Sequence, residues 1–280
     1  MPKANQKKLL ENPVISSMVV PVAIVLIGAL IIFGVTQLLS TDRGYKDLVR
    51  EMHSKTFGNR WTAAYELSKY ISSNQIPKDD IPWLIANLSD VYKSSNDQRT
   101  KEFIVVALGA LRNELSLPVL NAALDTKNSE TKFRVIVALA DLPKGVLFDW
   151  NKLDTFLNQD DAMLKKAVIL TFATHNVPGK ENLIAKSLTN SNQSIKFSAA
   201  LALSNYNDRR ALDVLKEIFL TQESKVISPD QLEALKLNIL NTLEKTKWDV
   251  LRVELQKAAD DDVSLKVRSK AKELLNLLKK

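Results

Sequence analysis

Cysteine is absent from this 280-residue chain, histidine occurs only twice and glycine only seven times. Without cysteine there is no disulfide framework and no thiolate for a metal, and the absence suits an oxidising compartment entered without disulfides. His53 and His175 stand far apart and alone. Zinc takes about four nearby ligands, or three and a water, so the histidines read as surface or capping residues. So few glycines disfavour a hairpin-rich β fold. No Gly-rich phosphate loop, nucleophile elbow or Ser-His-Asp constellation is present. No catalytic residue, metal ligand, cofactor or small-molecule substrate is expected, and the chain reads as non-enzymatic.

Charge is also missing from one long stretch. No ionisable residue lies between Glu11 and Asp42, and Val14 to Leu39 is dominated by Val, Ile, Leu and Ala. A helix needs about 20 such residues to cross a bilayer. Pro13 fits at a helix start, and Pro21, Gly28 and Gly34 are tolerated inside a membrane helix. The run exceeds a signal-peptide core, and Gly34 to Ser40 offers a poor cleavage site. The sequence divides into a basic tail at 1–13, a transmembrane helix at 14–39 and a repeated region at 40–280. Lys3, Lys7 and Lys8 face Arg43, Lys46 and Arg50 across the run, so the positive-inside comparison is nearly balanced. The short tail is the natural cytoplasmic segment. This places the larger region on the far side of a plasma membrane, periplasmic in a bacterium, with the reverse orientation as the alternative.

From Ser40 onward, 36 Lys and Arg are interspersed with 31 Asp and Glu. That distribution suits a solvated helical surface and gives little support to nucleic-acid binding, which wants basic residues on one face. Apolar residues recur at helical spacing throughout. Arg60, Lys101, Lys132, Lys165, Lys196, Lys236 and Lys266 align as equivalents, 41, 31, 33, 31, 40 and 30 residues apart. In the first six, the third, fourth and seventh residues after the basic one are aliphatic, alanine or phenylalanine, as in Val135, Ile136 and Leu139. The last repeat aligns better on Arg268, ahead of Ala271 and Leu275. A second apolar helix precedes each, opening at Ile81-Pro82-Trp83-Leu84 and Leu117-Pro118-Val119-Leu120 and near Trp150, Pro178, Arg210 and Trp248. Each unit is therefore two antiparallel helices of about ten to fifteen residues, and stacked pairs bury a continuous core.

The aliphatic-Pro-x-Leu starts, the Leu-then-Asp ends at Leu88–Asp90 and Leu124–Asp125, and the aliphatic-basic pairs Leu164-Lys165, Ile195-Lys196, Leu235-Lys236 and Leu265-Lys266 resemble the HEAT-repeat family. The units match its shorter bacterial type, below the roughly 40 residues of long units. The resemblance covers about Tyr45 to Lys280. It implies an all-α, right-handed α-solenoid of about seven helix pairs, with the basic residue ordering the turn between helices by pairing with an acidic or amide neighbour. The chain departs from the family at the acidic position six residues before the basic one, which only Asp230 and Asp260 fill, so a complete Asp–Arg ladder is not expected. Tetratricopeptide and ankyrin signatures are absent. The His-Glu pairs of HEAT-type di-iron hydroxylases are missing too.

Asp160-Asp161 and Asp260-Asp261-Asp262 precede second helices and read as caps rather than cation ligands. Trp61, Trp83, Trp150 and Trp248 read as core. The extra residues at 72–79 and 221–228 are either rim loops of a binding face or neutral variation. The expected function is a membrane-anchored scaffold or adaptor that binds another protein through the solenoid surface. The resemblance also allows a ligand-binding or lyase role like that of phycobilin-lyase repeats. A nucleic-acid role, as in HEAT-like DNA glycosylases, fits the dispersed charge poorly.

Overall fold

The computed structural model describes residues 44–53 and 57–278, with side chains given from residue 60 in the second segment. The expected tail and membrane span, 1–13 and 14–39, lie outside the described residues. Among the described residues no helix is long and apolar enough to cross a membrane.

Fourteen α-helices and several 3-10 turns make up the described chain, without a strand among them. They form seven pairs. The first helices are α1 (Tyr45–Met52), α3 (Ile81–Ser94), α5 (Leu117–Ala123), α7 (Asp154–Leu157), α9 (Glu181–Ala185), α11 (Leu212–Leu220) and α13 (Arg252–Asp261). The second helices are α2 (Phe57–Ser72), α4 (Gln98–Ala110), α6 (Ser129–Ala140), α8 (Ala162–His175), α10 (Gln193–Ser204), α12 (Pro229–Thr246) and α14 (Leu265–Leu277). Each second helix packs on the next, α2 on α4 through to α12 on α14, which makes an unbroken layer.

Second helices start where short polar side chains can satisfy the first free amides. Asp97 accepts from the Thr100 amide, Asn128 from Thr131, Asp161 from Met163 and Leu164, Asn192 from Ser194 and Ile195, and Ser264 from Val267. Ser228 and Gln231 form a reciprocal capping box. The three aligned columns are the core. Ala63, Ala64, Leu67 and their equivalents through Ile239, Leu240 and Leu243 are almost wholly buried. In the last repeat Ala271 and Leu275 are buried while Lys272 is exposed, which fixes its register on Arg268 rather than Lys266.

The first helices depart from expectation. Five of the seven have fewer than ten residues, and α7 has four and α9 five. The opening residues of α5, α7 and α11 are taken up by 3-10 turns capped by Asn113, Asp149 and Asp208, and α9 runs into another at Lys186–Thr189. A cap placed so early leaves little sequence for regular α-helix. The layer of second helices therefore carries most of the repeat-to-repeat packing.

A candidate partner-binding stripe on the second helices

The seven aligned basic residues do not act as one set. Lys196 pairs with Glu217 of the next first helix at 2.6 Å, and Lys236 with Asp262 at 2.6 Å in full burial. The ammonium groups of Lys101 and Lys132 instead lie over the rings of Tyr92 and Phe156. Lys266 holds Glu233 at the surface. The expected pairing with an acidic neighbour is thus found for Lys196 and Lys236, at a turn only for Lys236, and aromatic faces replace the acids at Lys101 and Lys132.

A different ladder links the repeats along the first helices. Lys152 donates to Asn121, Lys180 to Asn151 and Asp154, and Arg210 to Asn182, each at 2.7–2.8 Å. It does not emerge from the aligned columns, because Lys152 and Arg210 lie in 3-10 turns and Lys180 just before α9, all outside those columns. Tyr206 adds a half-buried link, with its hydroxyl 2.8 Å from the Phe172 carbonyl, and partial burial pushes its phenol pKa well up.

The candidate chemistry residues have structural partners. Asp161 caps α8, and Asp262 accepts from Lys236 and from the Ser264 amide. Asp260 accepts from Gln256. No group of three His, Cys, Asp or Glu able to hold a metal occurs among the described residues. His53 is the exposed C-cap of α1. His175 is half-buried, donates from Nε2 to the Leu139 carbonyl at 2.8 Å and lies against Trp150. None of the four tryptophans is core. Trp61, Trp150 and Trp248 are half-buried at its margin, and Trp83 is exposed.

One column of second-helix residues is apolar without being core. Five places after each aligned basic residue stand Tyr65, Val106, Val137, Leu170, Leu201 and Asn241. Tyr65 is 39% exposed and Val137 41%, and Val106, Leu170 and Leu201 are half-buried. Burial does not require aliphatic side chains at these places, yet five successive repeats have an apolar residue there. Aromatic neighbours extend the stripe, with Tyr65 and Trp61 against Phe103 at 5.3 and 6.4 Å between ring centres.

From α6 to α12 the stripe is the floor of a groove. Three adjoining depressions of about 400, 220 and 260 Å³ share Leu170. Phe133, Val137 and Met163 line the first, Phe197, Leu201 and Ile227 the second, and Asn205, Asn241 and Lys245 the third. Ile227 comes from the 221–228 insertion. That insertion therefore contributes a wall to this groove, between helices α10 and α12 that pack less extensively than other neighbours. Lys166, Lys245 and Asp141 are the charged residues along the groove. Lys144 approaches Lys245, whose charge holds the Lys144 pKa below its ordinary value. The groove is thus apolar at its floor and basic at its rim.

No family profile matches the chain, and no curated protein matches its sequence. Solved structures do match. The Escherichia coli protein YibA is 13% identical over 86% of this chain and 84% of its own, with a TM-score of 0.52. An engineered protein is 18% identical over 85% of this chain and 68% of its own, with a TM-score of 0.50. An archaeal HEAT-like repeats protein from Thermococcus onnurineus is 16% identical over 84% of this chain and 97% of its own, with a TM-score of 0.45. At these identities the likeness concerns the fold alone, and that fold is an all-helical repeat.

Proposed function

We propose that the chain is a non-enzymatic adaptor of HEAT type, held at a membrane by residues 14–39 and binding another protein through the second-helix stripe. The observation that carries this reading is the row Tyr65, Val106, Val137, Leu170 and Leu201, apolar in five repeats and not buried by the fold. Contiguous exposed apolar surface on a folded chain marks an interaction site, whereas single exposed residues such as Leu147 are ordinary. The partner is a protein with an apolar face and acidic margins to meet Lys166 and Lys245. Residues 14–39 would confine the encounter to a membrane plane and raise the effective concentration for membrane complexes. The lysine-bearing tail 1–13 sits on the cytoplasmic side in this reading, and the repeats sit outside.

The test is co-purification from detergent-solubilised membranes, comparing the native chain with a Val137→Glu/Leu201→Glu chain. The expected outcome is a stoichiometric partner lost from the variant, with the helical circular-dichroism signal retained. Equal recovery from both chains would reject the stripe as the binding surface. A second reading, an apolar small ligand, has in its favour the groove of about 400 Å³ between α6 and α8, a size within the usual range of ligand sites. Native mass spectrometry of the purified chain would show the added mass.

A further inference from the structure

We propose that the side chains around Tyr45 form a collar that seats the first helix pair in the headgroup region of the membrane. The inference rests on reading residues 14–39 as a span. Tyr45 opens α1 only six residues after Leu39. Six residues cannot reach beyond about 20 Å, so the start of α1 stays beside the bilayer surface.

At that point the fold gathers rings from three helices. Tyr70 of α2 lies 6.2 Å from the Tyr45 ring, and Trp83 of α3 meets it edge-on at 6.4 Å. The ammonium of Lys46 lies 5.6 Å from the Tyr45 ring and 5.7 Å from that of Trp83. The nearby carboxylate of Asp80 is engaged by Lys46 at 3.1 Å and by the Tyr45 hydroxyl. Asp47 is held by Arg50, and Lys78 stands exposed beside Asp79.

Tyrosine and tryptophan are the side chains that settle at the membrane–water interface, with an apolar body and a polar tip. Lysine suits the same depth, since its stem can lie along apolar surface while the charge stays in water. The placement is selective. Trp61, Trp150 and Trp248, away from the collar, are all half-buried, and the exposed tryptophan is the one beside the chain's approach to the repeats. The collar would fix the tilt of the first repeat against the bilayer, and with it the direction in which the stripe faces.

The test uses the full chain reconstituted in vesicles of phosphatidylcholine and phosphatidylglycerol. Residues 14–39 contain no tryptophan, so tryptophan emission reports on the repeats alone. Lipid brominated near the carbonyl is expected to quench part of the native emission, and that part should be lost in Trp83→Phe. A Trp61→Phe/Trp150→Phe/Trp248→Phe chain should retain it, together with a blue-shifted emission relative to detergent. Chains that float with the vesicles but show equal quenching with and without Trp83 would overturn the collar and leave the anchor standing. A chain that fails to float would remove the anchor reading and the collar with it.

Discussion

Lys236 and Asp262 are each about 1% exposed and 2.6 Å apart, which makes them the most costly single pair to disturb. Removing one partner strands a buried charge, so Lys236→Met should lower the unfolding free energy by about 3–5 kcal/mol. Adding Asp262→Leu should restore much of that loss, and chemical denaturation of the single and double variants measures both. The pair was half legible in the sequence. Lys236 stood in the aligned column, whereas Asp262 read as a cap, because burial across a repeat boundary leaves no local signature. His175 gives the pH dependence. Burial of its imidazole, with a smaller push from Lys144, holds its pKa below the ordinary 6.5. The unfolded chain therefore takes up this proton first as the pH falls. The folded state keeps its full stability above about pH 6.5 and loses it from there down to the lowered folded value. His175→Gln should flatten that decline when denaturant midpoints are compared at pH values above and below the window.

Among the elements, the contact between α4 and α6 has the least room. A β-carbon on Gly109 would stand 2.6 Å from that of Ala138. Alanine is the better helix former by about 1 kcal/mol, yet Gly109→Ala should destabilise the chain by about 1–3 kcal/mol through overpacking. A higher melting temperature for this variant would show that the helices can part at no cost. Helix identity was legible because burial imposes the 3.6-residue period on the second helices, and caps such as Asp161 and Asn192 stand where turn-rich sequence predicts them. The brevity of α7 and α9 was not legible, since a 3-10 turn and a first α-turn share the same apolar spacing. The stripe is hidden in the sequence for a related reason. Val106, Leu170 and Leu201 are aliphatic in helices already rich in aliphatics, and only their exposure separates them from Val105, Ile169 and Ala200 of the core.

At the scale of the molecule, the seven pairs of the described residues stack into one layered array in which each repeat supports its neighbours. Such an array presents long surfaces rather than a closed pocket, and here one surface carries an apolar row with basic margins. The row gives way to Asn241 in the sixth repeat and Glu273 in the seventh, so the surface has a defined end near α12. The adaptor function requires that a partner protein occupy this row in the cell. Site-specific photo-crosslinking tests it most directly, with the crosslinker placed in turn at Tyr65, Val137 and Leu201 on the stripe and at Val253 on α13. One adduct of the same mass is expected from all three stripe positions and none from Val253. Adducts of equal yield from Val253, or none from the stripe, would contradict it.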